Sequence, residues 1–213
     1  MAERFVVAVV AVVGAESTGK TTLAAGLRDA LCAEGRHAAL VSEYLREFCD
    51  REGRTPRQSE QASIADEQTR RIDAAASQHE IVIADTTALM IAVYSDIVFA
   101  DTSLYASAVE AHRRCGLTLL TALDLPWQAD GLQRDGAHVQ QPVDARLRAT
   151  LQREAIPYGV VAGTGGDRLA SALKAVRHAL NAPTAEDESG SHPKWRWLCE
   201  RCGDADCERH LLP

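Results

Sequence analysis

The sequence predicts an α/β fold in which a parallel β-sheet lies between layers of helices, and three observations carry the prediction. The apolar run "FVVAVVAVV" at 5–13 passes directly into "GAESTGKTT", which passes directly into the helical pattern "LAAGLRDAL". Short apolar runs then alternate with longer amphipathic ones down to residue 180, the order that builds a parallel sheet with helices on both faces. The chain has 213 residues, 46% of them hydrophobic, which is enough for one well-buried core and too few for two large ones.

The first strand reads as near-continuous valine because a central strand is covered on both faces. Its apolar stretch falls well short of the ~20 residues that span a bilayer. Arg4 in front of it imitates the charged start of a signal peptide, but the loop pattern that follows favours a buried strand. A helix over about 20–34 is closed by Gly35 and followed by the short strand "HAALVS". Two helices come next, "EYLREFCDREG" and the long polar "PRQSEQASIADEQTRRIDAAASQ", the second opened by Pro56 near its first turn. "EIVIAD" is a strand, "TTALMIAVYSDIVFA" a helix, and "SLYASAVEAHRRC" a further helix ended by Gly116. "LTLLTAL" is the fourth strand, "DLPWQADGLQRDGAHVQQP" an irregular polar segment and "VDARLRATLQREA" a helix. "YGVVAG" and "GDRLASALKAVRHAL" supply the last strand and helix, and no internal repeat is present.

Charge and cysteine usage narrow the function. A formal charge of −7 lacks the electrostatic footprint that attracts nucleic acid or an anionic membrane, so neither is an expected partner. Cys32, Cys49 and Cys115 are scattered as in a reduced compartment, and a cytoplasmic location is expected.

Gly14, Gly19, Lys20 and Thr21 match G-x-x-x-x-G-K-[ST] between a strand and a helix, the context that makes this pattern a P-loop. The glycines let backbone N–H groups curl around a phosphate while the helix N-terminus adds partial positive charge. Lys20 reaches the β- and γ-phosphates and the Thr21 hydroxyl is placed for Mg²⁺, with Glu16, Ser17, Thr18 and Thr22 completing the ATP cradle. The expected architecture is therefore the three-layer P-loop NTPase fold with a parallel sheet, plus a short C-terminal Cys/His appendage.

Three further stretches carry candidate chemistry. Asp85 ends an apolar strand at the sheet edge where ligands collect, and is either a Mg²⁺ ligand or base, or a cap for the next helix, or both. Glu43 leaves the second strand at the same edge with Arg46 one helical turn on. The pair either receives a hydroxyl proton or holds a sugar while Arg46 balances charge, or is a first-turn glutamate beside a solvated arginine. In the long segment after the fourth strand, Trp127 is an aromatic platform or a core plug, and Arg134 a lid arginine for the transferring phosphoryl group or a solvated one.

"GAESTGKTTLA", "SEYLREF", "IADTT" and above all "PWQADGL", in this order, resemble the ribosylnicotinamide kinase domain of the NadR family over most of residues 5–180. The P-loop is generic, whereas the Glu-Tyr-x-Arg pair and the Trp-x-Ala-Asp-Gly-Leu lid are specific. The resemblance implies phosphorylation of the 5′-hydroxyl of nicotinamide riboside with ATP and Mg²⁺. It also implies that Gly14 to Thr22 hold ATP, that Asp85 and Glu43 serve metal and substrate hydroxyls, and that Tyr44, Arg46, Trp127 and Asp130 face the nucleoside. An arginine commonly follows the lid leucine in that family; here Gln133 stands there and Arg134 comes one residue later. The adenylyltransferase signature and helix-turn-helix of full-length relatives have no counterpart motif, so a stand-alone kinase is expected.

The expected organisation is a kinase domain at 1–180, a Pro- and acid-rich linker at 181–194 and a tail at 195–213. In the tail, Cys199, Cys202, Cys207 and His210 follow C-x₂-C-x₄-C-x₂-H, a set suited to a structural Zn²⁺ that orders a segment too short to bury a core. Such a tail would serve as a contact for a protein partner or a second subunit. Two functions from different classes compete at this stage: a small-molecule kinase acting on a nucleoside, and a nucleotide-dependent regulator or assembly ATPase gripping a protein through its tail.

Overall fold

The computed structural model describes residues 8–128 and 137–181. Five strands form one parallel sheet: β1 (Ala8–Val13), β2 (Ala38–Val41), β3 (Ile81–Asp85), β4 (Leu117–Thr121) and β5 (Gly159–Val161), in the spatial order β2-β3-β1-β4-β5. β1 is central, registered on one side with β3 (Val12 opposite Asp85) and on the other with β4 (Val13 opposite Leu120). Its valines are buried on both faces, which explains why no polar alternation is visible along them.

Among the described residues, seven α-helices cover the sheet. α1 (Lys20–Ala33) and α7 (Gly165–Asn181) lie on one face, where Leu23, Leu27 and Leu31 meet Val10, Val12, Ile83 and Val176. The 3.6-residue period sets that stripe, and each fully buried leucine contributes about 2 kcal/mol of apolar burial. α4 (Ala88–Phe99), α5 (Tyr105–His112) and α6 (Gln140–Arg153) cover the other face, packing Leu89, Val93, Val109 and Leu147 on Ala11, Val13 and Leu120. α2 (Tyr44–Glu52) and α3 (Gln61–Ala76) complete that side through Phe48, Cys49, Ile64 and Ile72. Three layers result, as the strand and helix order implied.

Two helix starts differ most from the sequence reading. α3 starts at Gln61 and not at Pro56, because a 3₁₀ turn over Gln58–Glu60 intervenes. The Arg54 guanidinium grips both oxygens of Glu60 at 2.7 Å, and Glu60 also accepts the Arg57 N–H, so the chain closes a separate turn first. α6 starts at Gln140, inside the segment read as irregular, with Pro142 in its first turn where no intrahelical N–H is needed. Among the described residues no helix is long and apolar enough to cross a membrane.

His112 is 1% exposed and ties two elements together, its Nδ1 2.8 Å from Thr87 Oγ1 and its Nε2 2.9 Å from Thr118 Oγ1. Burial pushes its pKa from 6.5 down to about 4. The unfolded chain therefore takes up a proton that the folded chain refuses, and stability falls as pH drops from 6.5 towards 4, by on the order of 3 kcal/mol in all. His112→Gln keeps both hydrogen bonds without the titration. Denaturant unfolding between pH 7 and 5 is expected to show a flatter pH dependence for that variant than for the wild type, and parallel curves would contradict the assignment.

Candidate active site

The phosphate loop leaves β1 at Val13, and its shape is imposed by contacts that only glycine permits. Gly14 has φ +150°, and a Cβ there would stand 2.0 Å from Thr121 Oγ1. Gly19 has φ +73° at the N-cap of α1, where a Cβ would reach Leu125 Cδ1 at 3.0 Å. No side chain caps α1, so its first amide groups are left to an anion. Inside the loop, Thr18 Oγ1 donates to Ala15 O at 2.7 Å and lies 2.7 Å from Thr121 Oγ1. Lys20 Nζ donates to the same Ala15 carbonyl at 2.8 Å.

Asp85 ends β3 beside this loop, 1% exposed. Burial raises its pKa, while the Thr21 hydroxyl bonded to it and the charges of Lys20 and Arg46 pull the other way. Oδ1 of Asp85 has no hydrogen-bond partner among the described residues. An orphaned carboxylate oxygen next to a P-loop threonine fits a hydrated Mg²⁺, which takes oxygen ligands and keeps several waters.

Two cavities open on this edge. One, of about 490 Å³, is lined by the loop from Ser17 to Thr22 together with Arg46, Leu125 and Gln128. The other, of about 520 Å³, is lined by Glu16, Glu43, Arg57, Gln61, Tyr94 and Phe99 among others. Lys20 and Arg46 line both. Glu43 is the N-cap of α2, and Arg46 Nη2 lies 3.7 Å from its Oε2.

Glu16 lines the second cavity and not the phosphate-loop one. Tyr44 turns its ring to Arg71, whose guanidinium carbon stands 4.4 Å from the ring centroid, and lines neither cavity. Trp127 lines neither as well, and its Nε1 is buried with no partner among the described residues. Asp130 and Arg134, with Cys199, Cys202, Cys207 and His210 of the tail, lie outside the described residues.

Sequence reasoning missed several contacts that hold the site. Arg168 of α7, 5% exposed, donates to Asp124 Oδ1 (2.9 Å), Gly163 O (2.9 Å) and Thr18 O (2.8 Å), pinning the phosphate loop to the loops after β4 and β5. Ser17 Oγ donates to Gln128 O at 3.0 Å and accepts the Gln128 N–H at 2.8 Å, fastening the start of the Trp127 segment. Gln61 and Gln68, both buried in α3, look in sequence like part of a solvated polar face. Their spacing of two helical turns was the available signal, since it sets them on the Ile64 and Ile72 side.

An AAA domain model matches residues 9–168. No curated protein sequence matches the chain. Among solved structures, a NadR protein in complex with NAD and AMP-PNP superposes with a TM-score of 0.66 at 19% identity, covering 84% of this chain and 51% of that one. A NadR protein in complex with NR gives a TM-score of 0.69 at 19% identity over 83% of this chain and 52% of the other. At that identity the likeness is one of fold, and the chain spans about half the length of the solved structures it matches.

Proposed function

The chain belongs to the AAA-domain family, and from that premise we propose that it is an ATP-dependent small-molecule kinase, transferring a phosphoryl group to the 5′-hydroxyl of nicotinamide riboside or a related nucleoside. One observation supports this above all: the two cavities share Lys20 and Arg46. A phosphoryl group passing between a donor and an acceptor needs fixed positive charge along its path, and a nucleotide switch has no need of a second small-molecule cavity. About 520 Å³ suits a nucleoside. The NR and AMP-PNP complexes of NadR proteins with the same fold point to this pairing of donor and acceptor.

In this reading the P-loop amides and Lys20 hold the ATP phosphates in place, and Arg46 carries charge at the junction. Glu43 holds the ribose hydroxyls or receives the proton of the attacking one, with the Arg46 guanidinium 3.7 Å away. Thr21 and Asp85 would hold Mg²⁺, which when bound neutralises phosphate charge. Incubation with ATP, Mg²⁺ and a panel of nicotinamide riboside and common ribo- and deoxynucleosides, followed by chromatography, is expected to yield a nucleoside 5′-monophosphate and equimolar ADP. ATP consumption indifferent to every nucleoside would overturn the reading.

A further inference from the structure

Gln68 is completely buried in α3, and main-chain groups occupy both ends of its amide. Its Oε1 accepts the Tyr44 N–H at 2.8 Å, and its Nε2 makes a long 3.5 Å hydrogen bond to Thr86 O. The orientation is settled by chemistry, because a backbone N–H can only donate. Tyr44 is the first residue of α2, directly after Glu43. A side-chain oxygen at an N-cap position, where one caps, reaches the amides of the second and third helical residues and not the first. The Glu43 carboxylate makes no such bond and lines the 520 Å³ cavity with Arg46 instead. One of the exposed donors at the start of α2 is thus satisfied from another helix.

The other end of Gln68 meets a strained peptide. Thr86 follows Asp85 and is held at φ 72°, a conformation that β-branched residues rarely adopt. Its N–H donates to Val12 O at 3.0 Å, so the strain sits where β3 gives way to the site. Gln68 therefore ties the peptide between Glu43 and Tyr44 to the carbonyl of Thr86, the residue after Asp85.

We propose that Gln68 is a positioning residue: by holding the Tyr44 N–H from α3 it fixes the peptide between Glu43 and Tyr44, and with it the direction in which the Glu43 side chain leaves the backbone towards the cavity. The proposal rests on the kinase reading for its catalytic consequence, though the contact can be tested without turnover. Gln68→Met keeps the volume and removes both hydrogen bonds. In that variant the Tyr44 amide is expected to exchange with solvent at least ~10-fold faster than in the wild type. The KM for nicotinamide riboside is expected to rise roughly 10-fold while that for ATP stays within about twofold, a split that general loosening of the fold would not give. In a Glu43→Gln background the same substitution is expected to add less than about twofold to the nucleoside KM, because both changes act through one carboxylate. Gln68→Glu keeps an oxygen for the Tyr44 N–H and is expected to retain Tyr44 protection; it carries the test if Gln68→Met does not fold. Unchanged Tyr44 exchange in folded Gln68→Met, lost protection in Gln68→Glu, equal rises in both KM values, or full additivity with Glu43→Gln would each overturn the proposal. A wild-type protein that phosphorylates no nucleoside would instead remove the kinase reading, and the exchange rates would still decide the contact.

Discussion

Lys20→Ala is expected to lower kcat by roughly 10³-fold, about 4 kcal/mol of transition-state stabilisation, while the protein stays folded. Lys20 lines both cavities and, in the kinase reading, is the P-loop cation for the phosphates. Without it, charge developing on the transferring group meets a weaker field, and Arg46 alone remains at the junction. The fold should tolerate the change for a specific reason. The Ala15 carbonyl that accepts from Lys20 also accepts from Thr18 Oγ1 at 2.7 Å, so removing the ammonium leaves no buried acceptor empty. The stability cost is then within about 1 kcal/mol. Initial rates with the nucleoside at saturation, set beside thermal melts, make the check. Turnover near the wild-type level in a well-folded variant would remove the P-loop mechanism.

Asp85→Asn is expected to move activity and stability in opposite directions. Activity should fall on the order of 10²-fold or more, with the Mg²⁺ requirement shifted to higher concentration, because the oxygen pair beside Thr21 loses its charge. Stability of the ligand-free protein should rise at neutral pH. Burial raises the Asp85 pKa above its ordinary 3.8, against the opposing pull of Thr21, Lys20 and Arg46, so ionised Asp85 costs folding free energy wherever it is charged. Worked through for pH, a carboxyl with a raised folded pKa penalises the fold above that pKa and ceases to do so as pH falls towards the unfolded value. The stability gap between variant and wild type should accordingly be widest near neutrality and close on acidification. Melts of both proteins from pH 7 to pH 4, with a Mg²⁺ titration of the rate, test the two halves together. A variant less stable than the wild type at pH 7, with an unchanged metal titration, would take Asp85 out of the site.

Much of the site was legible because its signals are local. The phosphate loop needs Gly14 to pass Thr121 and Gly19 to enter α1 in the left-handed region, and such backbone demands leave a mark at fixed spacing. Glu43 and Asp85 were legible as candidates for a related reason: Asp85 ends one apolar strand, Glu43 follows another by two residues, and all parallel strands end at one edge. The positions of Tyr44 and Trp127 were not legible. Each sits next to a residue that lines a cavity, Glu43 for one and Gln128 for the other, yet lines neither itself. Adjacency in sequence does not say which way a side chain turns at a helix start or in a loop.

Strand and helix order, the P-loop and the sheet edge that bears the candidate site were determined by the sequence alone, through periodicity and turn residues that act over a few positions. Tertiary structure decided the rest. It set the strand order β2-β3-β1-β4-β5, which brings Asp85 beside Val12 and the phosphate loop. It also made Lys20 and Arg46 walls of two cavities at once. Arg168 reaches Thr18 across 150 positions of sequence, and Gln68 joins Tyr44 to Thr86 from a helix that reads as polar surface. The physical reason is the same in each case. A buried polar side chain takes whatever partner the packed fold brings within hydrogen-bond reach, and burial makes that partner obligatory without leaving any periodic trace in the chain.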